Sequence, residues 1–137
     1  MFNLSKNVKV TILQAHTTAG TDAIESDEIY MDGFESVMFL TNMGTANAGN
    51  YIKIQQDTAT GMASAADLEG TKVVQASDGA MIGVDVVKPK EGYLRVYVTR
   101  TEPTTCETIW AIQYNGRKSP VTNTGIELHV TPDEGTA

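Results

Sequence analysis

Apolar and polar side chains alternate along much of the chain. The pattern is clear in "NVKVTIL", "YIKIQQ" and "YLRVYVTR". A period of two, rich in β-branched and aromatic residues, is typical of strands with one buried and one solvated face. "SVMFLT" and "MIGVDVV" are more continuously apolar and suit strands nearer the middle of a sheet, and "CETIWAIQY" is the strongest strand. The alternating phases predict a core of Val8, Val10, Ile12, Val37, Phe39, Ile52, Ile54, Val84, Val86, Leu94, Val96, Val98, Trp110 and Ile112.

Breaker segments such as "TTAGTDA", "GTANAGN", "ASDGA" and "KPKEG" separate these runs. The short spacing leaves no room for crossover helices, so the strands must be connected by antiparallel hairpins and arches. Only "TGMASAADLEG" has helix-forming character, and we interpret it as one turn of helix in a loop. About eight strands predict an all-β fold, an antiparallel two-sheet jelly-roll-like β-sandwich.

The character of the chain changes after its last strong strand. That strand runs to Tyr114, and "NGRKSP" then combines a turn signal, two bases and a proline. We therefore expect residues 1–116 to form the β-sandwich body and residues 117–137 to form an extended C-terminal arm.

Length and charge exclude several classes of protein. A chain of 137 residues fits one domain with a real core. Its net charge of −7 argues against a nucleic-acid partner. No apolar run is long enough to span a membrane, and the start lacks the pattern of a signal peptide, so we expect folding in a reducing cytoplasm.

The charges are unevenly distributed. Six carboxylates and no base lie between Asp22 and Glu35, whereas six bases and three acids lie between Lys88 and Lys118. The pattern indicates either two solvated faces or a self-complementary contact with another subunit or a neighbouring protein.

Few residues offer catalytic chemistry. His16 and His129 cannot supply the histidine-rich ligand set of jelly-roll metal enzymes, and we interpret both as solvated. Cys106 is the only cysteine, which excludes an intrachain disulfide, and it lacks the context of a nucleophile. The acidic segment that begins at Asp22 departs from the calcium-loop ligand pattern, and a loose calcium site remains an alternative to a solvated loop. The sequence predicts no enzyme activity, no cofactor and no metal site.

Two groups of residues are candidate contacts. Tyr93, Arg95 and Tyr97 share the non-core face of one strand, a stripe that suits a carbohydrate or a protein interface; we favour the interface, where Tyr and Arg are enriched. The second group lies in the arm. It comprises Arg117, Lys118, Ile126, Leu128 and Val130.

The arm residues suggest how such a contact would form. Ile126, Leu128 and Val130 alternate with polar residues, so this segment is suited to add a strand to a neighbour's sheet edge. Arg117 and Lys118 lie where the arm leaves the body and can pair with carboxylates of that neighbour. The alternative is a frayed tail without a partner.

The motifs "MDGFESVMFLTNMGT", "DLEGT", "VDVVKPKEGYLRVYVTR", "IWAIQYNGRKSPVTN" and "HVTPDEGTA" resemble those of tailed-bacteriophage head decoration, or capsid cement, proteins. The resemblance covers about residues 31–137, and its most specific pieces are the entry "MDGFESV", the hairpin "VDVVKPKEGYLR" and the exit "IQYNGRKSPVT". These are strand and turn motifs. The family usually has another basic residue at the position of Ser119, so any basic docking patch is thinner here.

The resemblance implies a non-enzymatic virion structural protein with a jelly-roll fold. Such a protein decorates the capsid exterior and stabilises the capsid by clamping neighbouring subunits of the major capsid protein. It is expected to be a homo-oligomer, a dimer ahead of a trimer, and to reside in the host cytoplasm before assembly. The resemblance implies no cofactor, no nucleic-acid partner and no membrane partner. The alternative is a carbohydrate- or ligand-binding jelly-roll module displayed on the virion surface.

Overall fold

The computed structural model describes residues 3–118 and 120–136. Ser119 and Ala137, two positions of the predicted arm, lie outside the described residues. Strands account for 45% of the chain and helix for 3%, and every strand pairing is antiparallel, which confirms the all-β prediction. The elements are α1 (Leu4–Asn7), β1 (Lys9–Gln14), β2 (Thr17–Gly20), β3 (Ile24–Glu25), β4 (Ile29–Tyr30), β5 (Phe34–Asn42), β6 (Tyr51–Asp57), β7 (Ala66–Asp67), β8 (Val73–Val74), β9 (Met81–Val87), β10 (Tyr93–Thr99), β11 (Thr104–Cys106) and β12 (Ile109–Gly116).

The strands form two main sheets. One has four strands in the order β1-β12-β5-β9. The other is centred on β10 and β6: β3 and β4 pair along one edge of β10, and β7 and β8 pair along the far edge of β6. β3 and β4 together occupy one strand position that is interrupted in the middle, and β7 and β8 together occupy another. β2 and β11 form a separate two-stranded sheet.

The pairing of the long strands is nested. β2 and β11 form their own sheet and are left out of this count. Taking β3 with β4 as one strand position and β7 with β8 as another gives eight positions in chain order. Position one pairs with eight, two with seven, three with six and four with five. Apart from positions four and five, which pair with each other, consecutive positions lie in different sheets. The segment "VDVVKPKEGYLR" is therefore an arch between sheets, because β9 pairs with β5 whereas β10 pairs with β6, and the prediction of a hairpin there is wrong.

The core lies between the two sheets. Val37 and Phe39 of the four-stranded sheet join Ile54 and Val96 of the other sheet in one buried cluster. Most of the predicted core is confirmed: the buried residues are Val8, Val37, Phe39, Ile52, Ile54, Leu94, Val96 and Val98, and Val84 and Val86 pack against the cluster while partly exposed.

Two of the predicted core residues lie outside it. Ile12 is 54% exposed and Trp110 is 42% exposed. On β12 the residues turned inward are Ile109, Ala111 and Gln113, so Trp110 has the opposite phase. Ile12 lies opposite Trp110 in the ladder and shares its outward face. The prediction failed because both phases of these strands carry apolar side chains. Val10 and Ile112, also expected inside, follow the outward phase and are only half-buried.

The predicted helical turn in "TGMASAADLEG" is also wrong. Gly61 and Met62 have φ angles of 82° and 48°. Two consecutive residues in the left-handed region cannot continue a right-handed helix. The segment forms turns and the short strand β7. Among the described residues α1 is the only helix, and its four residues are too few to cross a bilayer.

Candidate interaction surface

The outward side of the four-stranded sheet carries a row of apolar side chains. The ladder places Ile12, Trp110 and Leu40 side by side across β1, β12 and β5. A second row, one step along the strands, joins Val10, Ile112 and Met38. We call these six residues the outer apolar face. Such cross-strand neighbours contact one another, so the face is continuous.

Trp110 is the most prominent side chain of this face. A tryptophan with a large exposed fraction is unusual on a solvated sheet and is enriched where proteins bind each other. Grooves lie on both sides of it. One, of about 540 Å³, runs between Ile12, Trp110 and Ile126. The other, of about 580 Å³, lies between Leu40, Met81 and Trp110, and the side chain of Glu107 contributes to its wall.

The first groove is bounded by the C-terminal segment. The Asn123 side chain accepts a hydrogen bond from the Val10 backbone N–H at 2.8 Å, and it donates to the carbonyls of Ser5 and Val8 at 3.0 and 2.8 Å. The Val121 N–H also donates to the Lys6 carbonyl at 2.7 Å. Residues 121–123 thus form a C-terminal clasp on the region around β1.

Beyond the clasp the predicted arm residues are exposed. Ile126, at the edge of the groove, and Leu128 are each 41% exposed, and Val130 is 67% exposed. Arg117 and Lys118 are also exposed, although the Arg117 backbone N–H donates to the Gly33 carbonyl at 2.8 Å. No strand occurs among the described residues after Gly116.

The predicted stripe of Tyr93, Arg95 and Tyr97 lies on the second sheet, away from the outer apolar face. Its side chains have partners within the chain. Tyr93 stacks on Tyr30 with ring centroids 4.7 Å apart. Arg95 donates to Glu25 at 3.0 Å and to Gln55 at 2.9 Å.

Tyr97 has an intramolecular partner as well. The Lys53 ammonium lies 4.9 Å from the Tyr97 ring centroid, within the range of a cation–π contact. All three residues of the stripe are half-buried, and these contacts within the chain fix the orientation of their side chains.

The acidic and basic segments of the sequence meet within one molecule. The Arg95–Glu25 pair joins them directly. At another point Asp32 and Glu35 line the same cleft, about 380 Å³ in volume, as Lys88, Lys90 and Arg117. Part of the charge asymmetry seen along the chain is therefore balanced internally.

Arg100, another base of that segment, is buried. Its guanidinium donates to the backbone carbonyls of Asp22, Thr18 and Thr104 at 2.7, 2.9 and 2.8 Å. These carbonyls come from three separate parts of the chain, so Arg100 ties the small β2–β11 sheet to the segment before β3. Its role is structural.

The candidate nucleophile and histidines do not form a reactive group. Cys106 is fully buried, and burial raises the pKa of its thiol, which keeps it protonated at neutral pH. His16 lies 2.9 Å from Glu107 at the surface, and His129 lies 3.2 Å from Glu127. Within residues 3–118 and 120–136, no three His, Cys, Asp or Glu side chains cluster as a metal site would require.

Sequence reasoning missed the centre of this surface. Trp110 and Ile12 were assigned to the core, so the residues that most distinguish the outer apolar face were not considered as contacts. The available signal was the second apolar phase of "TIWAIQY", in which Ile109 and Ala111 alternate with Trp110 and Ile112. Neither protein-family models nor curated proteins give a match to this chain.

Proposed function

We propose that this chain is a non-enzymatic virion structural protein that decorates the exterior of a tailed-bacteriophage capsid and stabilises it by clamping neighbouring major capsid subunits. The motif resemblance is what points to a capsid. The structural observation that supports protein binding is the exposed Trp110 at the centre of the outer apolar face. The second expected partner is a further copy of the chain.

The energetics favour a protein partner for this face. Burying a large apolar side chain contributes roughly 1.5–3 kcal/mol, and a cluster of such residues around a tryptophan has the composition of an interface centre. Ile12, Leu40 and Trp110 provide that cluster, and Ile126 continues it towards the arm. The arm residues beyond Ile126 would extend the contact onto a neighbouring subunit.

We also infer that the fold is a jelly roll. The nested pairing supports this: folding the chain in half between positions four and five brings all four strand pairs together as one long hairpin. Rolling that hairpin up places its successive strand pairs in alternate sheets, which is how double-sheet jelly rolls are built.

The test is binding to capsids. If a gene next to the gene for this chain encodes a major capsid protein, that capsid protein is used in the test. Purified protein is mixed with heads assembled from that capsid protein, in immature and mature forms, and pelleted. We expect saturable co-sedimentation with mature heads and greater resistance of those heads to heat. Absence of binding to both forms would refute the proposal.

A second function is favoured by the same tryptophan. An exposed aromatic ring beside a groove is also how carbohydrate-binding modules stack a sugar, so a ligand-binding module on the virion surface is the alternative. A glycan array separates the two. Selective glycan binding that is lost in Trp110→Ala, together with unchanged capsid attachment, would favour the alternative.

A further inference from the structure

Strand β9 forms a free edge of the four-stranded sheet. It is last in the strand order, and within the described part of the chain its outer side has no hydrogen-bonded strand. The strand is seven residues long. A long, unprotected edge presents unpaired N–H and C=O groups and is a template for another strand.

The phase of the ladder shows which backbone groups are free. The Lys88 N–H donates to the Glu35 carbonyl at 2.8 Å, so this opposed pair is of the hydrogen-bonded type. Opposed pairs alternate in type along an antiparallel ladder, so Ile82, Val84 and Val86 also turn their backbone groups towards β5. The N–H and C=O groups of the alternate residues point away from the sheet. These residues are Met81, Gly83, Asp85 and Val87.

Gly83 shows that this edge is accessible. A side chain there would meet Leu40, since an added Cβ would lie 2.7 Å from the Leu40 Cδ2 atom. Gly83 is nevertheless exposed, so what solvent reaches is the backbone edge. The strand has no proline and no lysine to block pairing; its one charged residue, Asp85, accepts a hydrogen bond from the Tyr114 hydroxyl at 2.6 Å on the outer side.

We propose that β9 pairs antiparallel with β9 of a second copy of this chain, about a two-fold axis at Val84. In this register Met81 lies opposite Val87 of the second copy, and Gly83 lies opposite Asp85 of that copy. All four of these residues have free backbone groups, so the register is compatible with the hydrogen-bond phase.

The register is self-complementary in its side chains. The two Asp85 carboxylates do not face each other, because each meets a glycine with no side chain. Met81 and Val87, 72% and 60% exposed in the single chain, cover each other instead. A two-fold contact must match a surface to itself, and the whole length of β9 does so when centred on Val84.

The pairing would also extend the core. Val84 and Val86 pack against the buried cluster but remain partly exposed at the edge. Across the two-fold axis Val84 would meet its own copy, and Val86 would meet Ile82. The two four-stranded sheets would then join into one sheet of eight strands. This contact differs from the stripe at Tyr93–Tyr97 and does not depend on capsid binding.

A charge exchange tests the register in the isolated protein. Met81→Lys with Val87→Lys places lysine opposite lysine twice in the dimer, whereas Met81→Glu with Val87→Lys places glutamate opposite lysine. We expect sedimentation to show a dimer for the unmodified chain and a dimer again for the Glu/Lys variant. For the double-lysine variant we expect the affinity of the dimer to fall by at least about tenfold. Both positions are exposed, so the fold is retained, which circular dichroism checks.

A disulfide test locates the axis. Opposed residues of a non-hydrogen-bonded pair have Cα atoms about 4.5 Å apart, so Val84→Cys should form a covalent dimer on mild oxidation. Met81→Cys is the matched control, because the two copies of residue 81 would be roughly 20 Å apart. Cys106 is buried and does not interfere. A monomer at all concentrations, equal behaviour of the two charge variants, or equal cross-linking at both positions would overturn the proposal.

Discussion

At the scale of single residues, Ile109 and Trp110 provide a matched pair. They are neighbours on β12, but Ile109 is fully buried and Trp110 lies on the outer apolar face. Ile109→Ala should lower the free energy of unfolding by about 2–5 kcal/mol, because it leaves a cavity in the core. Trp110→Ala should cost less, roughly 1–2 kcal/mol, because this residue is 42% exposed and its removal leaves no enclosed cavity.

Denaturant unfolding of the two variants measures this difference, and capsid co-sedimentation measures the second effect of Trp110→Ala. We expect that variant to fold and to bind capsids poorly, because a hot-spot tryptophan contributes its energy only when a partner covers it. If both variants lose the same stability, Trp110 belongs to the core after all.

Single charged residues also show where sequence reasoning ends. Arg95 and Arg100 count as bases of one segment, yet one is held by Glu25 and Gln55 and the other by backbone carbonyls. Composition predicts neither contact, because carbonyl partners have no sequence signature and depend on how distant loops meet. Arg117 is exposed and lies in the segment for which the sequence predicts a basic contact.

At the scale of elements, the C-terminal clasp separates two roles of the predicted arm. A chain truncated after Thr124 keeps the Asn123 hydrogen bonds to Ser5, Val8 and Val10, whereas a chain truncated after Gly116 loses them. We expect the first to melt close to the full chain and to bind capsids weakly, because it lacks the arm's exposed apolar residues. The second should also be less stable.

The Asn123→Ala variant isolates the contribution of the clasp. It should lower the free energy of unfolding by about 1–3 kcal/mol, since backbone groups near β1 lose their partner. Thermal melting of this variant beside both truncated chains is the measurement. Identical melting of all four proteins would show that the clasp contributes nothing to stability.

The strands themselves were largely predictable, but their faces were predictable only in part. β6 and β10 have one clearly apolar phase, and that phase is buried as expected. β5 is apolar in both phases, and Val37 and Phe39 are the residues that are buried. β1 and β12 also have two apolar phases, and packing against the second sheet determines which phase is buried. The free edge of β9 was not predictable either, because "MIGVDVV" has the apolar character of a central strand and its position in the sheet depends on long-range pairing.

At the scale of the whole molecule, the nested pairing predicts slow folding. Every long ladder joins strands that are distant in sequence or separated by an arch, and folding rates fall as contacts become less local. We expect refolding from denaturant to take roughly milliseconds to seconds, as for other all-β sandwiches. Stopped-flow fluorescence of Trp110 measures it, and completion within microseconds would contradict the nested pathway.

The same nesting sets the order in which the chain can mature on a ribosome. The innermost pair, β6 with β7 and β8, is complete early, whereas β1 has to wait for β12, whose last residue is Gly116. At synthesis rates of roughly 5–20 residues per second, β1 stays without its partner for about 5–20 s. The first long strand to emerge is therefore the one that waits longest, and it is the part of the nascent chain most in need of protection from aggregation.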